Sequence, residues 1–179
     1  MPPIILIAAL SRDRVIGAGD GIPWRVPDEY RQYLSFIEGQ TVIMGRRTFE
    51  IFGGDLTSAH TLVVSRSAKE APGAVVCGSV EGALARARKF ERTIFVAGGG
   101  SIYRQTLSLA DALYLSFIKG KFSGDTFFPE FDLAEWETVR REDHPAFEFV
   151  AYRRRPVDQA VVNRASRTRR KVSGSGRTR

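Results

Sequence analysis

Seven consecutive apolar residues, Ile4-Ile5-Leu6-Ile7-Ala8-Ala9-Leu10, constrain the fold more than any other feature of this chain. The run lacks the alternation of a half-exposed strand and is shorter than most buried helices. A continuous aliphatic run of this length is typical of a strand that is buried on both faces, as in a parallel sheet covered by helices.

Strands and helices alternate along the rest of the chain. The pattern predicts further strands over residues 41–45, 61–65, 74–77, 93–97, 112–118, 136–142 and 147–155. Helices are predicted to begin near Pro27, to span 46–52, to span 80–90 after Ser79 as N-cap, and to run from Gly100 to Leu107. The predicted fold is therefore α/β: a single domain with a mostly parallel central β-sheet, an antiparallel C-terminal strand and flanking helices.

The end of the chain differs from the rest in composition. Residues 156–179 contain seven basic residues and one acid, so they carry +6 of the formal net charge of +7. They are poor in large apolar side chains, and such a segment cannot bury enough surface to fold. We therefore predict a catalytic domain over 1–155 and a basic, disordered tail over 156–179. Electrostatic contact with nucleic acid is the alternative use of the tail.

Composition also bears on location and partners. No apolar stretch reaches the roughly 18 residues that a membrane span needs, so no membrane contact is expected. The single cysteine, Cys77, cannot form an internal disulfide, and the first residues lack the features of a secretory signal. A cytoplasmic monomer is therefore expected. We expect no metal, because Cys, His and acidic residues do not cluster at metal-ligand spacing.

Three glycine-rich or basic segments follow predicted strands: Gly98-Gly99-Gly100, Gly45-Arg46-Arg47-Thr48 and Ser65-Arg66. The carboxyl ends of parallel strands meet at one edge of a sheet, where ligands bind. Backbone amides at a helix start and guanidinium groups are suited to phosphates, and a hydroxyl beside a guanidinium suits the 2′-phosphate of an NADP-type cofactor. The alternatives are a tight glycine turn and solvated surface arginines.

Glu29 is the candidate acid beside this crevice. It lies in the first turn of a helix whose apolar face carries Tyr30 and Tyr33, and its neighbour Asp28 competes for the role. Adjacent helical residues point about 100° apart, so we expect one of the two acids to face solvent. A carboxylate held among aromatic rings can bind a protonated or amidine-like heterocycle, whereas the alternative role is that of a helix-dipole partner.

Taken together, six motifs resemble the dihydrofolate reductase family in order and spacing over residues 4–155. They are Ile7-Ala8-Ala9-Leu10, Asp13-Arg14-Val15-Ile16-Gly17, Ile22-Pro23-Trp24, Val42-Ile43-Met44-Gly45-Arg46, Val96-Ala97-Gly98-Gly99-Gly100 and Gly124-Asp125-Thr126. The resemblance implies an NADPH-dependent oxidoreductase that reduces a small dihydropterin. A hydride would pass from nicotinamide C4 to pterin C6, and a proton would reach N5.

The resemblance also implies roles for individual residues. Glu29 corresponds to the carboxylate that anchors the pterin and supports its protonation, and Ser116 to the hydroxyl that hydrogen-bonds this carboxylate. Trp24 corresponds to a tryptophan that orders a water, and Tyr103 to a tyrosine over the nicotinamide. Residues 17–24 resemble a mobile lid that Asp125 steadies. The implied substrate-binding residues are Ile7, Ala8, Glu29, Tyr30, Tyr33, Phe52, Leu56, Ala97 and Ser116. The implied cofactor-binding residues are Ala9, Ile16, Gly17, Gly45, Arg46, Arg47, Thr48, Ser65, Arg66, Gly98, Gly99, Gly100, Ser101, Ile102 and Tyr103.

One turn departs from the family pattern. The family grips the α-carboxylate of the folate tail with an arginine, but the turn here reads Asp55-Leu56-Thr57-Ser58-Ala59-His60, with Ala59 at that position. Losing one partner of such a charge pair costs about 2–5 kcal/mol. The departure favours dihydromethanopterin, which lacks that carboxylate, as the substrate. Dihydrofolate is the alternative, and a non-catalytic nucleic-acid-binding protein is a remote third.

Overall fold

A computed structural model describes residues 1–156 of the chain. Within this range the strands are β1 Ile4–Leu10, β2 Val15–Gly17, β3 Thr41–Gly45, β4 His60–Val64, β5 Val75–Cys77, β6 Ile94–Val96, β7 Ala112–Ile118, β8 Thr126–Phe127, β9 Trp136–Asp143 and β10 Phe147–Arg154. The α-helices are α1 Pro27–Ile37, α2 Arg46–Phe52, α3 Val80–Arg88 and α4 Gly100–Thr106. Short 3-10 turns occupy Gly53–Asp55, Leu107–Leu109 and Leu133–Glu135. None of these helices is long and apolar enough to cross a membrane.

The central sheet has eight strands in the order β5-β4-β3-β6-β1-β7-β10-β9. The six strands from β5 to β7 are parallel to their neighbours. Strand β10 is antiparallel to β7, and β9 is antiparallel to β10. The predicted α/β fold is therefore confirmed, and its antiparallel part consists of two strands.

Strand β1 lies in the middle of the sheet, between β6 and β7. Successive side chains of a strand point to opposite faces. Leu6 accordingly packs in the core beneath α3 with Ala83 and Leu84, whereas Ile5 and Ile7 pack in the core on the α1 side with Ile37. Because helices cover both faces, the strand is apolar throughout, which explains the run that dominates the N-terminal sequence.

The structure differs from the sequence-based expectation in a second, two-stranded sheet. Strands β2 and β8 pair antiparallel, although both lie in segments predicted as loops. They are three and two residues long, too short to show a strand period. Elsewhere the predicted elements occur with ends shifted by one or two residues, and the Ser79 hydroxyl caps α3 by accepting a 3.0 Å hydrogen bond from the Gly82 amide. The predicted basic tail lies, beyond Pro156, outside the described residues.

Candidate active site

A cavity of about 510 Å³ opens at the carboxyl edge of the parallel sheet. Its floor is formed by the ends of β1, β3 and β6, and its walls by α1, α2, α4 and residues 16–22. The crevice therefore lies where the strand ends predicted it. Its lining brings together Glu29 and Ala97, which come from opposite sides of the opening.

Most of the residues singled out in the sequence line this cavity. From the substrate-binding set, these are Ile7, Ala8, Glu29, Tyr30, Tyr33, Phe52 and Ala97. From the cofactor-binding set, they are Ala9, Ile16, Gly17, Gly45, Arg46, Arg47, Thr48, Gly98, Gly99, Gly100, Ser101, Ile102 and Tyr103. These segments are distant in sequence, so the fold is what brings them to a common wall.

Five of the expected residues lie outside the cavity wall. Leu56 packs against the core on the α1 side, and Trp24 packs edge-on against Phe122 with ring centroids 5.2 Å apart. Ser116, on β7, is buried, and its hydroxyl lowers the pKa of the Glu29 carboxyl group. Ser65 and Arg66 follow β4, where the Ser65 hydroxyl accepts a 3.0 Å hydrogen bond from the amide of Ala68. Their roles toward a ligand remain predictions.

Glu29 rather than Asp28 is the buried acid. Glu29 is 9% exposed, whereas the side chain of Asp28 is 71% exposed and pairs with Arg31 one turn along α1. Burial raises the pKa of Glu29 from 4.5 to about 7, and the hydrogen bond from Ser116 opposes that rise. The carboxyl group therefore exchanges its proton near neutral pH, in the range where a group can both hold and release a proton.

Tyr103 links α4 to β1 across the floor of the cavity. Its buried hydroxyl donates a 2.7 Å hydrogen bond to the backbone carbonyl of Ile7. Burial, with Tyr33 and Glu29 nearby, holds the pKa of this phenol well above its usual value, so it stays protonated and remains a donor. A carbonyl oxygen has two lone pairs, which leaves one on Ile7 for a ligand.

The triple glycine approaches the start of α2 closely. The Gly45 amide donates a 2.8 Å hydrogen bond to the Gly98 carbonyl, which fixes the β3–α2 junction against the β6–α4 junction. Gly98 has φ +114°, a conformation that residues with a Cβ rarely adopt, and a Cβ at Gly100 would lie 3.2 Å from the carbonyl oxygen of Phe127. This packing places backbone amides beside the guanidinium groups of Arg46 and Arg47.

The lid segment is held at two points. The side-chain carboxylate of Asp125 accepts a 3.1 Å hydrogen bond from the Gly19 amide. The backbone amide of Asp125 donates a second hydrogen bond, also of 3.1 Å, to the Gly17 carbonyl. The Gly19 hydrogen bond and that from Thr126 hold the pKa of Asp125 below its usual value. On the other side, Asp20 and Arg47 form an ion pair at 2.7 Å.

Some cavity residues were missed from the sequence. They are Gly19, Asp20, Gly21, Ile22, Ile51 and Thr126. Ile51 lies three residues after Thr48 on α2, so helical spacing could have identified it. The others lie within the motifs already quoted or the expected lid, but nothing in the sequence indicates which of their side chains face inward.

Comparison with known proteins decides the family. The family model described as dihydrofolate reductase matches residues 3–155. The chain belongs to the dihydrofolate reductase family. It is 40% identical over 144 residues to dihydrofolate reductase type 3 of Salmonella typhimurium, covering 80% of this chain and 88% of the relative. It is 35% identical over 161 residues to dihydrofolate reductase HdrB of Haloferax volcanii, covering 84% and 83%.

A solved dihydrofolate reductase shares the fold. The enzyme from Enterococcus faecalis, complexed with NADP(H) and RAB-propyl, superposes with a TM-score of 0.78 at 30% identity. The match covers 86% of this chain and 97% of that one. The predicted enzyme class, an NADPH-dependent oxidoreductase acting on a CH–NH group, is confirmed with the dihydrofolate reductase family, and so is NADPH as its cofactor.

The preference for dihydromethanopterin is not supported. The relatives are named for dihydrofolate, so the comparisons favour the alternative. The preference depended on Ala59 alone, and a missing tail contact weakens binding without specifying another substrate.

Proposed function

We propose that this chain reduces dihydrofolate to tetrahydrofolate with NADPH. The observation that carries the proposal is the position of Glu29. It is a buried carboxyl group in the same cavity as Ala97 and the triple glycine. An acid at this place can pair with the amino group and ring nitrogen of a pterin while a nicotinamide lies alongside.

The lining of the cavity offers groups that suit both ligands. The pterin ring would lie between Glu29 and the carbonyl of Ile7, and the nicotinamide between Ala97 and Tyr103. The phosphates would contact Arg46, Arg47 and Thr48 together with the amides of residues 98–101, with Ser65 and Arg66 beside the 2′-phosphate. When bound, NADPH supplies the hydride.

The protein supplies a proton and excludes water. With a pKa of about 7, Glu29 is partly protonated at neutral pH and can hold a proton near pterin N5. Ser116 orients the carboxyl group. With ligands bound, residues 17–24 would cover the opening, and the hydrogen bond from the Gly19 amide to Asp125 would keep this segment over them.

The test is a comparison of two substrates with the purified full chain. Steady-state NADPH oxidation is measured with dihydrofolate and, separately, with dihydromethanopterin. We expect kcat/KM above about 10⁴ M⁻¹ s⁻¹ with dihydrofolate. A value with dihydromethanopterin at least tenfold higher than with dihydrofolate would refute the proposed substrate, and no oxidation with either would refute the reaction.

A further inference from the structure

We infer that Asp55, held by Tyr30, weakens the binding of substrates with anionic tails. It would act at the substrate mouth, the end of the cavity that is lined by Tyr30, Ile51 and Phe52. This inference rests on the proposed function and concerns the part of the substrate that lies beyond the pterin ring. It assigns a specificity-determining role to an acidic side chain that does not line the cavity.

The direction in which a substrate tail leaves follows from the layout of the cavity. Helix α2 lines it from Arg46 at one end to Phe52 at the other, and its seven residues span about 9 Å at 1.5 Å per residue. The Arg46 end adjoins the triple glycine, where the cofactor phosphates are proposed to bind. A tail attached to a pterin at Glu29 therefore leaves past Tyr30, Ile51 and Phe52.

This mouth is aromatic and carries an acid. The ring of Tyr30 stacks against Tyr33 at 5.9 Å and lies 6.0 Å from Phe52. The Tyr30 hydroxyl donates a 3.0 Å hydrogen bond to Asp55, which is exposed at the end of the 3-10 turn after α2. Burial, then the hydrogen bond and charge of Asp55, raises the pKa of Tyr30 to about 12, so this phenol remains a donor.

The positive charges of the cavity lie elsewhere. Among the described residues that line it, the cationic side chains are Arg46 and Arg47, both at the phosphate end. At the Tyr30 end an acid is held instead, since Asp55 accepts the hydrogen bond from the Tyr30 hydroxyl. A glutamyl tail carries two carboxylates, and each added glutamate brings another, so repulsion increases with tail length. Because Asp55 is exposed, solvent and salt limit the effect to a few-fold per variant.

The experiment measures binding, so it does not depend on turnover. Isothermal titration calorimetry gives Kd for folate, folate triglutamate and the tailless 6-methylpterin with the NADP⁺-saturated full chain. The variants are Asp55→Asn, which removes the charge, and Tyr30→Phe, which removes the hydrogen bond but keeps the charge. Glu70→Gln, an exposed charge removal on the loop after β4, is the matched control. The basic segment 156–179 attracts anions in every variant, so ratios between variants are compared.

At low salt, we expect Asp55→Asn to lower the Kd of folate about threefold and that of folate triglutamate by a larger factor. The Kd of 6-methylpterin should not change. The ratio of the wild-type Kd to the Asp55→Asn Kd should fall towards one when NaCl is raised to a few hundred millimolar, because salt screens exposed charges. Tyr30→Phe keeps the charge of Asp55 but no longer holds it in place, so it should lower the Kd of folate relative to that of 6-methylpterin by less than Asp55→Asn does. Glu70→Gln should change the Kd of none of the three ligands. The inference is overturned if Asp55→Asn leaves the folate-to-6-methylpterin ratio unchanged or weakens folate. If the charge effect is found but dihydrofolate is not reduced, the proposed function fails and the mouth selectivity stands.

Discussion

At the scale of single residues, the proposed chemistry depends mostly on Glu29. Its pKa of about 7 makes the protonated fraction fall as pH rises through neutrality. We therefore expect kcat/KM to decline with a midpoint near pH 7, because this ratio reports the ionisations of the free enzyme. Glu29→Gln should lower kcat about a hundredfold or more and remove this midpoint, because the amide cannot exchange a proton in this range. NADPH affinity, measured by fluorescence titration, should stay within about twofold; survival of kcat within threefold would contradict the assignment.

The same carboxyl group makes the stability of the protein depend on pH. Because its pKa is raised from 4.5 unfolded to about 7 folded, the folded state binds more protons than the unfolded state between these values. The free energy of unfolding should thus fall across this range, by about 3 kcal/mol at 1.36 kcal/mol per pKa unit. Glu29→Gln should remove this loss, so the variant should be more stable than wild type at pH 8 in urea unfolding. Asp28→Asn, which alters an exposed acid, should follow the wild-type curve.

The choice between Asp28 and Glu29 shows which structural features a residue pattern can predict. Glu29 is followed at intervals of four by Tyr33 and Ile37, so it shares the packed face of α1, whereas Asp28 does not. That spacing could have separated the two acids, but the residues alone left both open, and the resemblance to the family indicated Glu29. The hydrogen bond from Tyr103 to Ile7 could not be predicted in this way, since it joins residues 96 positions apart whose contact depends on the whole sheet.

At the scale of elements, the base of the lid depends on a glycine in the β7–β8 connection. A Cβ on Gly124 would lie 2.3 Å from the Gly17 carbonyl oxygen and 2.4 Å from Val15 Cγ1. Gly124→Ala should therefore push this connection off β2, destabilise the fold by about 1–3 kcal/mol and lower kcat/KM at least tenfold. Gly54→Ala is the control, because a Cβ there has no neighbour within 4 Å. Equal thermal unfolding midpoints and activities in the two variants would contradict this account.

The ion pair between lid and α2 gives a second prediction at this scale. Arg47 pairs with Asp20 at 2.7 Å and is also a proposed phosphate contact, so the acid competes with the cofactor for the same guanidinium. Both side chains are exposed, and such pairs contribute about 0.2–1 kcal/mol. Asp20→Asn should lower the Kd of NADPH by roughly two- to fivefold at low salt. At high salt the variant and the wild type should have the same Kd. Weaker binding of NADPH would show that the pair positions Arg47 for the phosphate instead.

Elements were predictable where their periodicity extends over several turns or strand residues. The parallel strands and α2 were located to within one or two residues because continuous apolar runs and strand-to-helix junctions mark them. Strands β2 and β8 were not, since their pairing follows from the Asp125 and Gly17 backbone contacts rather than from side-chain pattern. The resemblance therefore implied the contact between the lid and Asp125, but nothing in the sequence indicated the two-stranded sheet at the base of the lid.

At the scale of the whole molecule, the folded unit is closed by the end of β10. Arg154 donates hydrogen bonds to the carbonyls of Ala110 and Leu107 and lies 4.2 Å above the Trp136 ring, and Arg155 donates to the Trp136 carbonyl. These contacts tie the last strand to the connections before β7 and β9. Most of the net charge, in contrast, belongs to residues 156–179. These carry +6 of the total of +7, which leaves +1 on residues 1–155.

Two truncations separate the role of the fold from that of the charge. A chain ending at Pro156 keeps every contact of Arg154 and Arg155, so its kcat/KM with dihydrofolate should stay within twofold and its thermal midpoint within about 2 °C. A chain ending at Arg153 loses those hydrogen bonds and leaves the Ala110 carbonyl unpaired, whereas the Leu107 carbonyl keeps its hydrogen bond from the Ala110 amide. An unpaired buried group costs about 1–3 kcal/mol, so the thermal midpoint should fall by several degrees. Both should elute earlier than the full chain from heparin, because the chain ending at Pro156 lacks +6 of charge and the chain ending at Arg153 lacks +8. A loss of activity in the chain ending at Pro156 would instead place residues 157–179 among the parts that the reductase needs.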